Sequence, residues 1–259
     1  MGTNQRTAIV TGGARGIGAG ISKRLAEDGM AVAVLDLDES ACQAVVDEIV
    51  AAGGQALAVG ADVSDPEQVE AAVRRVADEL GAPTVLVNNA GIQKVAPIQD
   101  FDPADFHRIL TLMLEAPFLL IRAALPHMYE RGWGRIINVS SIHGLRASAY
   151  KSAYVTAKHG LEGLSKTVAL EGAEHGVTSN CVNPSYVHTP LVDKQIKDQA
   201  ATHGIPEDQV IEKIMLTESA IKRLVEPEEV GELIAFLAGP SAGMVTGAAY
   251  TMDGGWTAS

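Results

Sequence analysis

The sequence predicts an α/β fold: one doubly wound, parallel sheet of seven strands, with helices on both faces and a small helical lid. Short apolar, β-branched runs alternate with helical segments along the chain, as expected when crossover helices join parallel strands. Aromatic residues make up only 4% of the composition, and small apolar side chains suit helices packed closely on a sheet. The length of 259 residues, with 47% apolar content, predicts a single domain over residues 1–259.

The first half of the chain predicts four strands that alternate with helices. A short buried strand leads through a glycine-rich turn into an amphipathic helix that ends near Asp28 and Gly29. The next helix closes at Gly53 and Gly54, and Pro66 begins the third helix. In order, the strands cover residues 7–11, 31–35, 55–61 and 85–88, and the second and third helices cover residues 39–52 and 66–80.

The second half predicts a long helix, three more strands, a helix that carries Tyr154, and the lid. The run from Arg135 to Ser140 is short and β-branched, as a buried parallel strand should be. Residues 184–219 predict two short polar helices joined near Gly204, just beyond the C-terminal end of a strand, where a lid over a ligand would lie. The predicted elements are the long helix at 109–128, strands at 135–140, 177–182 and 248–252, and the Tyr154 helix to about residue 175.

Charge and cysteine content argue against several classes of function. A formal net charge of −12 argues against nucleic-acid partners, which call for a basic surface, and against anionic membrane surfaces. Cys42 and Cys181 stand far apart and outside any metal-ligand spacing, so we expect a reducing compartment and no metal site. The N-terminal residues lack a signal-peptide apolar region, and Glu115 and Pro117 interrupt the apolar stretch 109–128. We therefore expect a cytoplasmic protein without a membrane span.

The turn at residues 12–18 has the composition of a dinucleotide-binding loop, which predicts a Rossmann-like sheet. Glycines let the backbone approach a pyrophosphate, and the helix after the turn offers free N–H groups at its N-terminus. Asp36 ends the second strand, where a carboxylate accepts the adenosine ribose hydroxyls and repels a 2′-phosphate. The positive charge of Arg15 weakly favours NADP instead. Taken alone, the glycine turn is also consistent with an ordinary tight turn. We expect NAD as the cofactor, in preference to NADP.

Two later strand ends supply further candidate cofactor contacts. Asp62 and Val63 come after the third strand, and Asp62 is placed either to reach the adenine edge or to cap the segment after it. Asn89 and Gly91 come after the fourth strand, where Gly91 leaves backbone room for the cofactor and Asn89 can bond neighbouring loops. These residues extend the predicted cleft along the C-terminal edge of the sheet.

Ser141, Tyr154 and Lys158 form the candidate catalytic group. Ser141 comes directly after a predicted strand, and Tyr154 and Lys158 are four residues apart on one helix face. A phenol titrates near ~10, so a tyrosine that exchanges protons at neutral pH needs a positive charge nearby, and we expect Lys158 to lower its pKa. Taken alone, the Tyr-x-x-x-Lys spacing favours an ordinary helix face with a surface lysine. Ser141 reverses that preference and indicates a hydride-transfer enzyme.

The chain resembles the short-chain dehydrogenase/reductase family. The resemblance rests on Thr-Gly-x-x-x-Gly-x-Gly at 11–18, Asn-Asn-Ala-Gly at 88–91, Ser141, and Tyr-x-x-x-Lys at 154–158, and it covers nearly the whole chain. It implies that Tyr154 is the general acid/base, that Lys158 holds the nicotinamide ribose and that Ser141 hydrogen-bonds the reacting oxygen. With the carboxamide contacts that it adds at Val187 and Thr189, the expected cofactor-binding residues are Gly12, Arg15, Gly16, Ile17, Gly18, Asp36, Asp62, Val63, Asn89, Gly91, Tyr154, Lys158, Val187 and Thr189.

Within the family, the chain is similar to dehydrogenases of small hydroxy acids. The likeness is carried by NAGIQKVAPIQDF, SIHGLRASAYKSAYVTAKHG, TPLVDKQI and the terminal DGGWTAS. It implies a homotetramer with two long helices paired between subunits, and substrate-carboxylate contacts at Gln93, His143, Lys151 and Gln195, beside Ser141 and Tyr154. Each of these four side chains, taken singly, is equally consistent with an ordinary loop or surface position.

Two positions depart from the family pattern. Ser185 stands where the family has glycine, which adds a side chain near the nicotinamide, and Met113 stands where the family has the asparagine of its catalytic set. Pro117 has no N–H, so it leaves the Met113 carbonyl without its helical donor, and we expect the helix to bend there. We hypothesise that this carbonyl maintains the family's water-linked proton relay. The alternative is that Met113 packs in the core and Pro117 only starts a helix.

Three functions stay open at this point. The leading one is NAD-linked hydride transfer between a small hydroxy acid, such as 3-hydroxybutyrate, and its keto acid. A second is another short-chain reductase, acting on a 3-oxoacyl thioester or a polyol. A third is a catalytically silent NAD-binding protein that uses its lid as an interaction surface; Met113 favours it, and the intact Ser141, Tyr154 and Lys158 count against it.

Overall fold

The strands form one parallel sheet, which confirms the predicted fold class. The structure is a computed structural model that describes residues 5–258, apart from the side chains of Leu191, Lys194, Gln195, Asp198, Gln199 and Thr202. Seven strands lie in the order β3-β2-β1-β4-β5-β6-β7. Strands β2 and β3 follow on one side of β1 and β4 to β7 follow on the other, so the strand order reverses between β1 and β4. The strands are β1 Thr7–Thr11, β2 Ala31–Asp36, β3 Gln55–Gly60, β4 Pro83–Asn88, β5 Gly134–Val139, β6 Val177–Pro184 and β7 Ala249–Met252.

Helices cover both faces of the sheet because alternate strand residues point to opposite faces. They are α1 Gly16–Glu27, α2 Glu39–Ala51, α3 Pro66–Glu79, α4 Pro103–Leu110, α5 Ala116–Arg131, α6 Ser152–Gly172, α7 Pro190–His203, α8 Glu207–Val210 and α9 Pro227–Leu237. Val32 and Val34 of β2 pack in a core with residues of α1, α2 and α9. Ala33 and Leu35 face the other way, into a core with residues of α3 and α5. The sheet is therefore buried on both sides, which explains its near-continuous apolar strands.

Helix α9 is an element that the sequence analysis did not identify. It begins at Pro227, and the preceding Glu226 N donates to Glu229 Oε2 at 2.9 Å, which caps its first turn. The helix packs closely on α1, where a Cβ at Gly20 would lie 3.3 Å from Pro227. It thereby completes the helical layer on the α1 face of the sheet.

The predicted long helix is two α-helices joined by a π-helical turn. Thr111–Glu115 forms that turn between α4 and α5, and Ala116 N donates to Thr111 O, one residue beyond the α-helical acceptor. Pro117 removes the donor that the Met113 carbonyl would have in an α-helix. The irregularity falls at the position that the sequence analysis indicates, while the proton relay stays a hypothesis.

The stretch Pro103–Arg131 is long and apolar enough, by length and composition alone, to cross a membrane. Several of its side chains, including Leu120, Ala124 and Met128, are nevertheless buried against the sheet in the core of that face. We interpret the stretch as core helices of this face of the sheet.

The lid, residues 184–219, packs around a small apolar cluster of its own. It holds α7, α8 and a π-helical turn at Ile211–Met215. His188 N donates to Val225 O at 2.8 Å, which ties the base of the lid to the segment before α9. We infer a single domain with the lid attached at its edge. The buried residues of the lid cluster include Val192, Ile196, Val210, Met215 and Leu216.

Candidate active site

The glycine turn lies at the switch point of the sheet, between the C-terminal ends of β1 and β4. Asn89 Nδ2 donates to the carbonyls of Thr11 (2.9 Å) and Gly12 (3.2 Å), which ties the turn to the end of β4. A Cβ at Gly18 would lie 2.1 Å from the Gly12 carbonyl oxygen, so only glycine lets the turn pack on the start of α1. Arg15 is the N-cap of α1 and makes no side-chain cap hydrogen bond. The first N–H groups of the helix are therefore available to an anion.

Asp36 and Asp62 lie in a long cleft of about 730 Å³ that starts at this turn. Asp36 Oδ2 accepts from Ala14 N at 3.2 Å and Oδ1 accepts from Leu37 N at 2.9 Å, so the carboxylate is held at the end of β2 beside the turn. Asp62 Oδ1 accepts from the backbone N and the hydroxyl of Ser64, at 2.9 and 2.6 Å. Asp62 Oδ1 thus stabilises the turn before α3, whose N-cap is Asp65, and Asp62 also lines the cleft.

The residues of the cleft fit a dinucleotide. A carboxylate lies at one end, an uncapped helix N-terminus lies in the middle, and the cleft adjoins a second pocket at the other end. Thr189 borders both cavities, and its Oγ1 accepts from Val192 N at 3.4 Å at the start of α7. The residues shared by the two cavities are Ile17, Asn89, Gly91, Ile92 and Thr189.

Ser141, Tyr154 and Lys158 meet in the adjoining pocket, a cavity of about 230 Å³. Ser141 lies just after β5, where its side chain acts to lower the pKa of the Tyr154 phenol, and its Oγ accepts from His143 N at 3.2 Å. Lys158 Nζ lies 5.7 Å from the centre of the Tyr154 ring and donates to Val139 O at 2.6 Å. A strand end and one helix face thus bring the three candidate catalytic side chains into one pocket.

The structure corrects the expected pKa of Tyr154. Burial raises this pKa above the usual value of a phenol, and the hydrogen bond with Ser141 lowers it only in part. Burial also lowers the pKa of Lys158 to about 8, while the charge of the neighbouring Glu162 acts to raise it. Withdrawal from water is therefore the largest effect on the pKa of both groups.

Lys151 and His143 form a contact pair in the wall of the same pocket. Lys151 Nζ lies 3.1 Å from His143 Nε2. Burial, followed by the charge of Lys151, lowers the pKa of His143 to about 4, so the imidazole is neutral at pH 7 and accepts from the lysine. Burial also lowers the pKa of Lys151. Gln93 lines the pocket beside them, whereas the side chain of Gln195 lies outside the described part of the chain.

Two aromatic side chains near the site were missed by the sequence analysis. Tyr186 lines the pocket at the base of the lid, with its ring centre 5.8 Å from Lys151 Nζ. Trp256 packs edge-on against His143, with ring centres 5.9 Å apart. Trp256 belongs to the terminal DGGWTAS stretch that contributes to the family likeness, so a signal for it was present. Tyr186 has no comparable signal, because a single aromatic residue after a strand is common in any core.

The two departures from the family pattern both line the pocket. Met113 is only 2% exposed and packs with Ala153 and Ala157, so its side chain fills space beside α6. Ser185 N donates to Met252 O at 3.1 Å, and among residues 5–258 the only non-glycine with a positive φ is Tyr150. The backbone at Ser185 therefore does not require glycine.

The fold and the pocket define a dehydrogenase of the short-chain type, and comparison with known proteins agrees. The short chain dehydrogenase family matches residues 6–200, and the chain belongs to this family. It is 47% identical to D-beta-hydroxybutyrate dehydrogenase of Rhizobium meliloti, over 98% of this chain and 99% of that one. It is 45% identical to D-beta-hydroxybutyrate dehydrogenase of Cupriavidus necator, with the same coverage. A crystal structure of a putative gluconate dehydrogenase from Agrobacterium tumefaciens superimposes with a TM-score of 0.90 and 30% identity, over 98% of this chain and 96% of that one.

Proposed function

We propose that the protein is an NAD-dependent dehydrogenase that interconverts D-3-hydroxybutyrate and acetoacetate. The observation that carries the proposal is the Lys151–His143 pair, 3.1 Å apart, in the wall of the pocket that also holds Ser141 and Tyr154. An ammonium group withdrawn from water favours an anionic ligand group, here the carboxylate of a short hydroxy acid. The relatives named D-beta-hydroxybutyrate dehydrogenase, 47% and 45% identical, support this substrate class.

Each side chain of the pocket has a separate role in the proposed reaction. Tyr154, as the phenolate, takes the proton of the C3 hydroxyl; Ser141 hydrogen-bonds the same oxygen; Lys158 holds the nicotinamide ribose. When bound, oxidised NAD would supply the hydride acceptor and a positive charge, which would oppose the rise in the Tyr154 pKa that burial causes. The proposed carboxylate contacts are Gln93, His143, Lys151 and Gln195.

The cofactor contacts extend along the cleft from one end to the other. The glycine turn and the start of α1 hold the pyrophosphate, and Asp36 accepts the adenosine ribose hydroxyls. The lid base reaches the carboxamide end. The proposed contacts are Gly12, Arg15, Gly16, Ile17 and Gly18 at the pyrophosphate, Asp36, Asp62 and Val63 at the adenosine, Asn89 and Gly91 between the two ends, and Val187 and Thr189 at the carboxamide.

We also infer a cytoplasmic homotetramer. Phe118 on α5 and Leu170 on α6 are 51% and 81% exposed, and these are the two long helices expected to pair between subunits. Large apolar side chains exposed on neighbouring long helices support a subunit contact. The free, buried thiols of Cys42 and Cys181 are compatible with a reducing compartment.

Asp36→Ala should weaken NAD binding and reduce the difference in kcat/KM between NAD and NADP. The substitution removes the acceptor for the ribose hydroxyls, so kcat/KM with NAD should fall about ten- to hundredfold, as expected for a hydrogen bond to a charged group. It also removes the charge that repels a 2′-phosphate. Steady-state kinetics with both cofactors measure the ratio of kcat/KM for NAD to kcat/KM for NADP. Asp38→Asn, which retains the cap of α2, is the control and should leave this ratio unchanged. A wild-type enzyme with a higher kcat/KM for NADP than for NAD would contradict this prediction.

Pro117→Ala tests the relay hypothesis at the π-helical turn. The variant restores an N–H four residues after Met113, which can hydrogen-bond the Met113 carbonyl. If that carbonyl takes part in the proton relay, the protein should fold normally but have a lower kcat. The basic limb of its pH–rate profile should then shift to higher pH. Met113→Ala, by contrast, should cost mainly stability, about 2–5 kcal/mol, because it empties a buried site. An unchanged kcat and pH profile in folded Pro117→Ala would rule the relay out.

A turnover screen with small hydroxy acids and polyols, each with NAD and NADP, tests the proposed function. We expect the highest kcat/KM for D-3-hydroxybutyrate with NAD. The second candidate substrate is a polyhydroxy acid or a polyol, favoured by the likeness to the putative gluconate dehydrogenase. A preference for a polyol or a 3-oxoacyl thioester would replace the proposal, and the absence of turnover with every compound would favour a silent NAD-binding protein.

A further inference from the structure

Glu162 is a buried carboxylate that the proposed reaction does not use. It lies on α6, one turn after Lys158, and is only 5% exposed. Carboxylates are rarely this buried without a partner that replaces their water. A partner here is Asn183 near the end of β6, whose Nδ2 donates to Glu162 Oε1 at 2.6 Å.

Asn183 connects this carboxylate to the turn that carries the catalytic serine. The same Nδ2 donates to the carbonyl oxygen of Ser141 at 2.9 Å, and that carbonyl also accepts from Gly144 N at 2.8 Å. Ser141 and His143 both lie on this short 3-10 turn. Fixing the Ser141 carbonyl therefore helps to fix the direction of both side chains.

The turn also packs directly on Glu162. A Cβ at Gly144 would lie 2.9 Å from Glu162 Oε1 and 2.5 Å from Ser140 Oγ, so the backbone of the turn approaches the carboxylate with no room for a side chain. Gly144 has no positive φ. Close approach to Glu162 and Ser140, rather than a special backbone conformation, thus explains why glycine occupies this position.

The charge of Glu162 acts on the catalytic lysine as well. The titratable groups that face it are Lys158 on its own helix and Cys181 on β6, and its charge raises the pKa of both. Burial raises the pKa of the Cys181 thiol, so the thiol is neutral at neutral pH and contributes no charge there. For Lys158, burial lowers the pKa to about 8 against the opposing effect of Glu162.

We propose that Glu162 is a positioning residue of the active site, which fixes the Ser141 turn through Asn183 and places a negative charge behind Lys158. Neither effect requires contact with substrate or cofactor. The inference rests on the proposed hydride-transfer function, but not on the identity of the hydroxy acid.

Substitutions at one position separate the two effects. Glu162→Gln retains the shape and an oxygen for Asn183 but removes the charge. The pKa of Lys158 then falls, and the pH profile of kcat/KM should move to lower pH by about one unit. Glu162→Asp retains the charge but shortens the reach, so its profile should stay near that of the wild type while kcat falls several-fold. Glu171→Gln, an exposed glutamate on the same helix, should change neither.

Amide hydrogen exchange supplies a readout that does not depend on turnover. In Glu162→Ala and Glu162→Asp, the Gly144 amide should exchange about tenfold faster or more, while the amides of β5 should stay protected. A wild-type protein that oxidises no substrate would refute the proposed function, and the exchange experiment would still test the positioning role. A pH profile that stays unchanged in Glu162→Gln would overturn the electrostatic effect. Unchanged exchange at Gly144, or a wild-type kcat in Glu162→Asp, would overturn the positional one.

Discussion

Replacement of Tyr154 by phenylalanine should lower kcat roughly 10³-fold, because in the proposed reaction the group removed is the hydroxyl that exchanges the substrate proton. A factor of this size corresponds to about 4 kcal/mol of transition-state stabilisation. Phenylalanine retains the edge-on contact with His143, whose ring centre lies 6.1 Å away, so the Tm should stay near that of the wild type. Steady-state kinetics and thermal unfolding of the same preparation measure both quantities.

Tyr150→Phe is the matched control for this experiment. Tyr150 precedes α6 and is 60% exposed, so its substitution removes the same hydroxyl without disturbing the pocket. The Tyr150→Phe variant should therefore retain kcat within about twofold of the wild type. KM should change much less than kcat in Tyr154→Phe, since the phenol acts on the reacting oxygen rather than on the carboxylate. A Tyr154→Phe enzyme whose kcat lies within tenfold of the wild type would contradict the assigned role.

The sheet was predictable because its signals are local. The runs that form β1 and β5 are β-branched and apolar, as expected for strands buried on both faces, and their observed ends agree with the predicted ends within one residue. Helix α9 was missed although a start signal was present: Pro227 stands in the first turn, with Glu228 and Glu229 directly after it. The π-helical turn is harder to predict, because Pro117 indicates a break in the hydrogen-bond ladder but not the geometry that replaces it.

The electrostatics of the site depend on contacts that no local pattern records. The Lys151–His143 contact requires the loop between β5 and α6, where Tyr150 takes a φ of 67°, a conformation uncommon for an aromatic residue. Burial dominates the pKa values of Tyr154 and Lys158, and the side chains that bury them come from segments distant in sequence, Met113 among them. The sequence therefore predicts which groups occur in the pocket but not their proton affinities.

Lys151→Ala should lower kcat/KM for 3-hydroxybutyrate on the order of 100- to 1,000-fold, or ~3–4 kcal/mol, because a charge-assisted contact in a pocket withdrawn from water is lost. The neutral amide 3-hydroxybutyramide has nearly the same shape without the charge and should lose less than about tenfold. Lys166→Ala, an exposed lysine on α6, is the control and should affect neither compound. The decisive measurement is the ratio of the two kcat/KM values in each variant.

The pH dependence of KM tests the same contact in the wild-type enzyme. Burial lowers the pKa of Lys151, so its ammonium group is lost at a lower pH than that of an exposed lysine. Because the carboxylate binds the protonated form, KM for 3-hydroxybutyrate should rise as the pH increases through this pKa, whereas KM for the amide should not. Carboxylate binding in turn favours the proton on Lys151, so the change belongs in KM rather than in kcat. Equal losses for acid and amide in Lys151→Ala, or parallel KM profiles in the wild type, would refute the carboxylate role and with it the observation on which the choice of substrate rests.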